Sequence, residues 1–242
     1  MRSTPQDPAR GAVSARDLGR TPAGTSGPPL VLFDLDGTLV DSTPGIWASV
    51  RTAVAGLGLP EPTPAELRAM VGPPLQDGFA TVFGLTGDDV GRAVAAYRAH
   101  YSSGALLDVA VYDGVPQLLR TLRDGGAVLA VATSKPQVFA VRVLGHVGLL
   151  RAFASVHGAG LDGAVRHKDQ VVAAALAAHP GTRAVALVGD REHDVLGAAA
   201  HGLPCVGAGW GPGGADELTA AGAAAVVATP GEVPAALRTL EG

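Results

Sequence analysis

From Leu30 onward the chain alternates between two hydrophobic textures. Short, nearly continuous apolar runs bounded by Gly, Asp or Pro stand at Leu30–Phe33, Val128–Ala132, Ala184–Val188, Cys205–Ala208 and Ala224–Val227. Between them lie stretches with apolar residues at helical spacing: Val115–Arg123, Gln137–Val147, Asp169–His179, His193–Ala200 and Ala215–Ala221. Unbroken apolar runs suit strands buried on both faces, and their alternation with helices predicts a parallel sheet covered on both sides. Ser155–His157 adds a further short strand.

One segment breaks this rhythm. Between Pro44 and Asp108 the pattern gives four helical pieces, Ile46–Leu57, Pro64–Met70, Leu75–Phe83 and Asp88–Tyr101, and no convincing strand. The alternation resumes at Val115. The expected fold class is therefore α/β: a Rossmann-like parallel-sheet core over 28–43 and 109–242, with a small all-helical cap inserted after the first strand over 44–108. Residues 1–27 are rich in Pro, Gly, Ser, Thr and Arg without an apolar period, and read as a disordered tail. No apolar segment follows their arginines, as a secretory signal would require.

Composition sharpens this picture in three places. With 47% apolar residues and only 4% aromatic, the core must be built from Ala, Val and Leu. A net charge of −4 and the absence of a basic run argue against a nucleic-acid partner, and no apolar stretch approaches the roughly 18 residues of a membrane span. The single cysteine, Cys205, cannot form an internal disulfide, which fits a reducing, cytoplasmic setting. Among the 18 basic residues only Lys135 and Lys168 are lysines, and a compact ammonium does work that a planar guanidinium cannot.

The candidate chemistry lies where strands end. The first apolar run leads into Asp34-Leu-Asp36-Gly37-Thr38-Leu39, two carboxylates two residues apart followed by a Gly. Ligands of parallel sheets bind at the carboxyl ends of strands, although a bare Asp-Gly pair can equally be an ordinary turn. A second strand ends in Thr133-Ser134-Lys135-Pro136 and is expected to open a helix. Hydroxyls and free N–H groups there suit an anion, or Thr133 or Ser134 simply caps the helix. A later strand ends in Gly189-Asp190, with Asp194 four residues on. Asp34, Asp36, Asp190 and Asp194 would then share one sheet edge, where close carboxylates repel by several kcal/mol at an effective dielectric of about 20. A hard divalent cation relieves that repulsion, and Mg²⁺ is the usual choice beside a phosphate. Lys168 opens the helix before that strand and reaches the same edge.

These segments resemble the haloacid dehalogenase superfamily of hydrolases in their order: DLDGTL, then Thr133, then Lys168, then Gly189-Asp190 through Asp194. Within it the chain is similar to the phosphoglycolate phosphatase-like branch. Its Val71-Gly-Pro-Pro-Leu75, Tyr97-Arg-Ala-His-Tyr101, Ala132-Thr-Ser-Lys-Pro136 and Gly189-Asp-Arg-Glu-His-Asp194 segments are closer to a bacterial 5′-nucleotidase-like group. The resemblance implies a phosphatase in which Asp34 attacks phosphorus, Asp36 serves as acid and then base, and Thr133, Ser134 and Lys168 hold phosphoryl oxygens. It further implies Mg²⁺ bound by Asp34, the main-chain carbonyl of Asp36, Asp190 and Asp194. Gly72, Pro73, Pro74 and Leu75 of the cap would set specificity, and Lys135 is read as lining the entrance. A small phosphorylated substrate follows, and a monomer or homodimer.

Three rivals share the fold. A dehalogenase needs neither Asp36 nor a metal, a phosphomutase differs mainly in returning the phosphoryl group, and a non-enzymatic phosphate sensor would be expected to lack one of the motif residues. Gly209-Trp-Gly-Pro-Gly-Gly214 satisfies the glycine spacing of a dinucleotide site but lies on a late strand, and Pro212 removes a backbone donor. The seven histidines lack metal-ligand spacing. Trp47 and Trp210 read as packing residues, with Trp47 early enough in the cap to face the site.

Overall fold

A computed structural model describes residues 27–161 and 164–241. The tail expected over 1–27 lies, apart from Gly27, outside the described residues. In chain order the elements are β1 (Pro29–Phe33), β2 (Val40–Asp41), α1 (Thr43–Gly56), α2 (Pro64–Ala69), α3 (Leu75–Phe83), α4 (Asp88–Ser102), β3 (Ala110–Val111) and α5 (Val115–Asp124). They continue with β4 (Val128–Pro136), α6 (Gln137–His146), β5 (Ser155–Ala159), α7 (Lys168–Ala177), β6 (Arg183–Gly189), α8 (Glu192–Ala199), β7 (Cys205–Ala208), α9 (Gly214–Ala220), β8 (Ala225–Val227) and α10 (Val233–Glu241).

Six strands form one parallel sheet in the order β5-β4-β1-β6-β7-β8, with β1 between β4 and β6. Alternation along β1 divides the core: Val31 and Phe33 pack with Leu118, Val143 and Leu237 of α5, α6 and α10. Leu30 and Leu32 pack on the other face with Val171, Val195 and Leu218 of α7, α8 and α9. Both faces are thus covered, which is why the strands read as continuous apolar runs. Among the described residues no helix is long and apolar enough to cross a membrane.

Helices α1 to α4 lie between β2 and β3, and these two-residue strands pair antiparallel, Val40 with Val111 and Asp41 with Ala110. The crossings between core and helical insertion are therefore tied into a small ribbon. Strands this short carry no legible period. One expectation needs correction: the segment Thr133–Pro136 leads directly into α6 at Gln137, but β4 runs through Pro136 and neither Thr133 nor Ser134 caps the helix. The pairing of β4 with β5 slips between Thr133 and Pro136, a bulge that re-aims the intervening side chains. The C-terminal helix α10 is an addition to the expected set.

Candidate active site

The ends of β1 and β6 and the first turns of α7 and α8 converge on four buried charges. Lys168 is the first residue of α7, and its Nζ lies 2.6 Å from Asp34 Oδ1 and 2.6 Å from Asp194 Oδ1. Asp194 accepts the Arg191 N–H through its other oxygen at 3.0 Å, which fixes the start of α8. Asp190 accepts from the Thr38 hydroxyl at 3.1 Å, while its Oδ2 is buried without a partner among the described residues. Gly37 passes over this carboxylate with φ of +87°, where a side chain would strike Asp190 and the backbone itself disfavours one. The motif Gly is needed for both reasons.

Ligand oxygens of Asp34, Asp190 and Asp194 lie within 4.8 Å of one another. Three carboxylates facing one ammonium leave excess negative charge out of water. Burial pushes Asp34 up to about 6 against the pull of Lys168, and burial with the charges of Asp194 and Asp34 raises Asp190 well above the usual range. Desolvation opposes the Lys168 charge, but Asp194 and Asp34 outweigh it and hold its pKa above the ordinary value. The orphan oxygen of Asp190 and the all-oxygen donor set fit a hard divalent cation.

Asp36 is engaged elsewhere. Its Oδ1 accepts from Ser42 Oγ at 2.7 Å, and both its oxygens lie 2.8 Å from Lys135 Nζ. Its side chain therefore takes no part in the carboxylate cluster. Lys135, read as lining the entrance, does line the cavity, but its side chain is 4% exposed and reaches Asp36 from the β4 bulge. Thr133 is buried at the same strand end, and its hydroxyl oxygen accepts the Lys135 N–H at 3.2 Å rather than capping a helix.

The family model for haloacid dehalogenase-like hydrolases matches residues 31–208, most of the chain. The chain belongs to this family. It is 41% identical over 193 residues to a 5′-nucleotidase of Pseudomonas aeruginosa, covering 79% of this chain and 87% of that protein. It is 44% identical over 192 residues to the tyrosine-protein kinase PtkA of Mycobacterium tuberculosis, covering 79% of this chain but 65% of PtkA. The crystal structure of a predicted phosphatase from Clostridium acetobutylicum superposes with a TM-score of 0.83 at 35% identity, covering 90% of this chain and 100% of that one.

The helical insertion of this haloacid dehalogenase-like chain faces the sheet edge. Asp34, Asp36, Thr133, Ser134, Lys168 and Asp194 line one cavity with Gly72, Pro73, Pro74 and Leu75 from the insertion. Ile46 lines it and Trp47 does not; Trp47 packs against the core instead. Arg191 pins the proline loop: its Nη1 donates to the Val71 carbonyl, and its Nε lies 2.8 Å from Glu217. Gly72, with φ of +106°, sits against the Arg191 side chain. Trp210 Nε1 donates to the Thr38 carbonyl at 3.0 Å, and Gly211 and Gly213 press on Asp190. The glycine-rich stretch that imitates a dinucleotide site therefore backs the acidic cluster. Ser42 was not singled out in the sequence; Arg191, Trp210 and Tyr101 stood in quoted segments, but their contacts with Val71, Thr38 and Lys135 depend on partners far along the chain.

Proposed function

We propose that this chain hydrolyses small phosphomonoesters through a phospho-aspartate on Asp34, with Mg²⁺ as cofactor. The observation that carries this reading is the separation of two neighbouring acids. Asp34 is held by Lys168 at the sheet edge, while Asp36 is held apart by Lys135 and Ser42. An Asp34 oxygen would attack phosphorus as the ester P–O bond breaks, with Asp36 giving a proton to the leaving oxygen. Asp36 would then take a proton from water as that oxygen attacks phosphorus, freeing inorganic phosphate and the Asp34 carboxylate. The Thr133 hydroxyl proton, Ser134 and the remaining Lys168 N–H would hold phosphoryl oxygens. When bound, Mg²⁺ neutralises charge on the phosphoryl group. Asp34, Asp190, the Asp36 main-chain carbonyl and Asp194, directly or through water, would hold it. The loop from Gly72 to Leu75 would read the leaving group, its two prolines making it a stiff wall. The chain is further proposed to work in the cytoplasm.

The test is hydrolysis of p-nitrophenyl phosphate and a panel of phosphomonoesters with Mg²⁺ and with EDTA. One phosphate should be released for each ester consumed, and only with the ion. A full rate after EDTA treatment would exclude the metal. Appearance of a phosphorylated acceptor in place of free phosphate would indicate a mutase or kinase, and release of halide from a 2-haloacid a dehalogenase.

The raised pKa of Asp34 has a thermal consequence. The folded, ion-free protein holds this proton more tightly than the unfolded chain, whose value is near the ordinary 3.8. Its contribution to stability is therefore full below 3.8 and is lost as pH rises through about 6. Mg²⁺ favours the carboxylate form, so its stabilising increment in Tm is expected to grow across that window. Asp190→Asn removes one carboxylate from the cluster, so it should shrink the Mg²⁺ increment. An undiminished increment in this variant would remove Asp190 from the ion site.

A further inference from the structure

The two lysines differ in where their donors are committed. An ammonium has three N–H groups. Lys168 spends two, on Asp34 and Asp194, which leaves one for a phosphoryl oxygen. Lys135 instead turns its ammonium to both oxygens of Asp36, at 2.8 Å each, and to Tyr101 Oη at 2.5 Å, and touches none of the three clustered carboxylates. Its work in this arrangement is to hold Asp36.

The third partner belongs to a different part of the fold. Tyr101 is on α4 of the helical insertion, whereas Lys135 and Asp36 belong to the sheet. The Tyr101 ring is seated between Tyr97 of its own helix, at 5.2 Å, and Phe139 of α6, at 6.0 Å. Lys135 Nζ also stands 4.9 Å from the ring centroid. A movement of α4 away from the sheet takes Tyr101 with it and strips Lys135 of one partner.

We infer that Lys135 is a positioning residue that orients the acid–base carboxylate of Asp36 and, through Tyr101, makes that orientation depend on closure of the helical insertion. The inference rests on the proposed role of Asp36. A bidentate ammonium fixes the plane of the carboxylate, and small misplacements of a catalytic group are costly, about 10²-fold for roughly 1 Å. Proton delivery is thereby restricted to the closed enzyme, where the leaving oxygen is shielded from water.

The experiment compares kcat/KM for an alkyl phosphomonoester, whose leaving oxygen needs a proton, with that for p-nitrophenyl phosphate, which leaves readily without one. Lys135→Met should lower the first about 10²-fold and the second less than about fivefold, the asymmetry expected when a general acid is displaced. Inhibition by inorganic phosphate should shift by less than about twofold, because the Lys135 ammonium is turned to Asp36 and Tyr101. Tyr101→Phe keeps the ring and removes the acceptor. It should show the same asymmetry at about tenfold and add nothing in the Lys135→Met background, as expected of two residues acting through one contact. Lys135→Gln, which retains donors, should recover part of the loss and guards against a variant that fails to fold.

An equal loss on both esters, or phosphate inhibition weakened as much as kcat/KM, would make Lys135 a phosphoryl ligand and overturn the inference. Asp36→Asn separates this failure from failure of the underlying reading. If Asp36→Asn shows the leaving-group asymmetry and Lys135→Met does not, only the positioning role falls. If Asp36→Asn itself lacks the asymmetry, the acid assignment falls with it.

Discussion

Replacing Asp34 by Asn is expected to lower kcat by at least about 10³-fold, roughly 4 kcal/mol of barrier. The two side chains have the same shape, and the amide oxygen can still accept from Lys168, which lies 2.6 Å from Asp34 Oδ1. The fold should therefore survive. An amide is a poor nucleophile toward phosphorus and cannot form the acyl phosphate that water then cleaves. The loss should fall on kcat with every ester, whatever its leaving group, which distinguishes it from the selective pattern expected at Asp36. Steady-state kinetics on p-nitrophenyl phosphate, with an acyl-phosphate trap on the wild-type protein, check both points. A variant retaining a tenth of the wild-type rate would show that Asp34 is not the nucleophile.

The parts of this molecule that were legible in the sequence are those whose cause is local. The strands β1, β4, β6 and β7 read clearly because burial on both faces leaves an unbroken apolar run. The helical insertion was legible from its missing strands, and α3 matches its expected span from Leu75 to Phe83. Asp34 and Asp190 drew attention because each directly follows a strand, a position with chemical meaning in any parallel sheet. What escaped depends on distant partners or on very short elements. The β2–β3 ribbon has two residues per strand, too few for any period. Lys135 stood out as one of two lysines but its partner was not legible, because a bulge in β4 is what carries it to Asp36. Trp210 read as a packing residue and Gly211 as part of a glycine run too late in the chain for a nucleotide site, and only the folded chain brings them against Thr38 and Asp190.

Lys168 should tolerate no substitution, Arg included. Its side chain is 4% exposed, with its stem lying along Gly197, where a Cβ would come within 2.6 Å of Lys168 Cγ. Helix α8 is flush against the lysine, and Nζ meets Asp194 one turn before that glycine. A guanidinium is wider, planar and carried on a different stem, so it cannot place a single donor on both Asp34 and Asp194 in this space. Lys168→Arg should therefore be nearly as damaging as Lys168→Ala, with a loss of about 10²–10³ in kcat for the missing charge-stabilising donor. Removing the ammonium also leaves Asp34, Asp190 and Asp194 buried with no cation among them. Breaking a buried pair from one side costs about 3–5 kcal/mol, so the ion-free Tm of Lys168→Ala should fall sharply. Added Mg²⁺ should recover much of that Tm, because it neutralises the carboxylates, without recovering the rate, because it cannot replace a donor to the phosphoryl group. Melting curves and steady-state rates measured across one Mg²⁺ titration separate the two effects. An active Lys168→Arg protein would show that any positive charge suffices there and that the lysine is a structural counter-ion only.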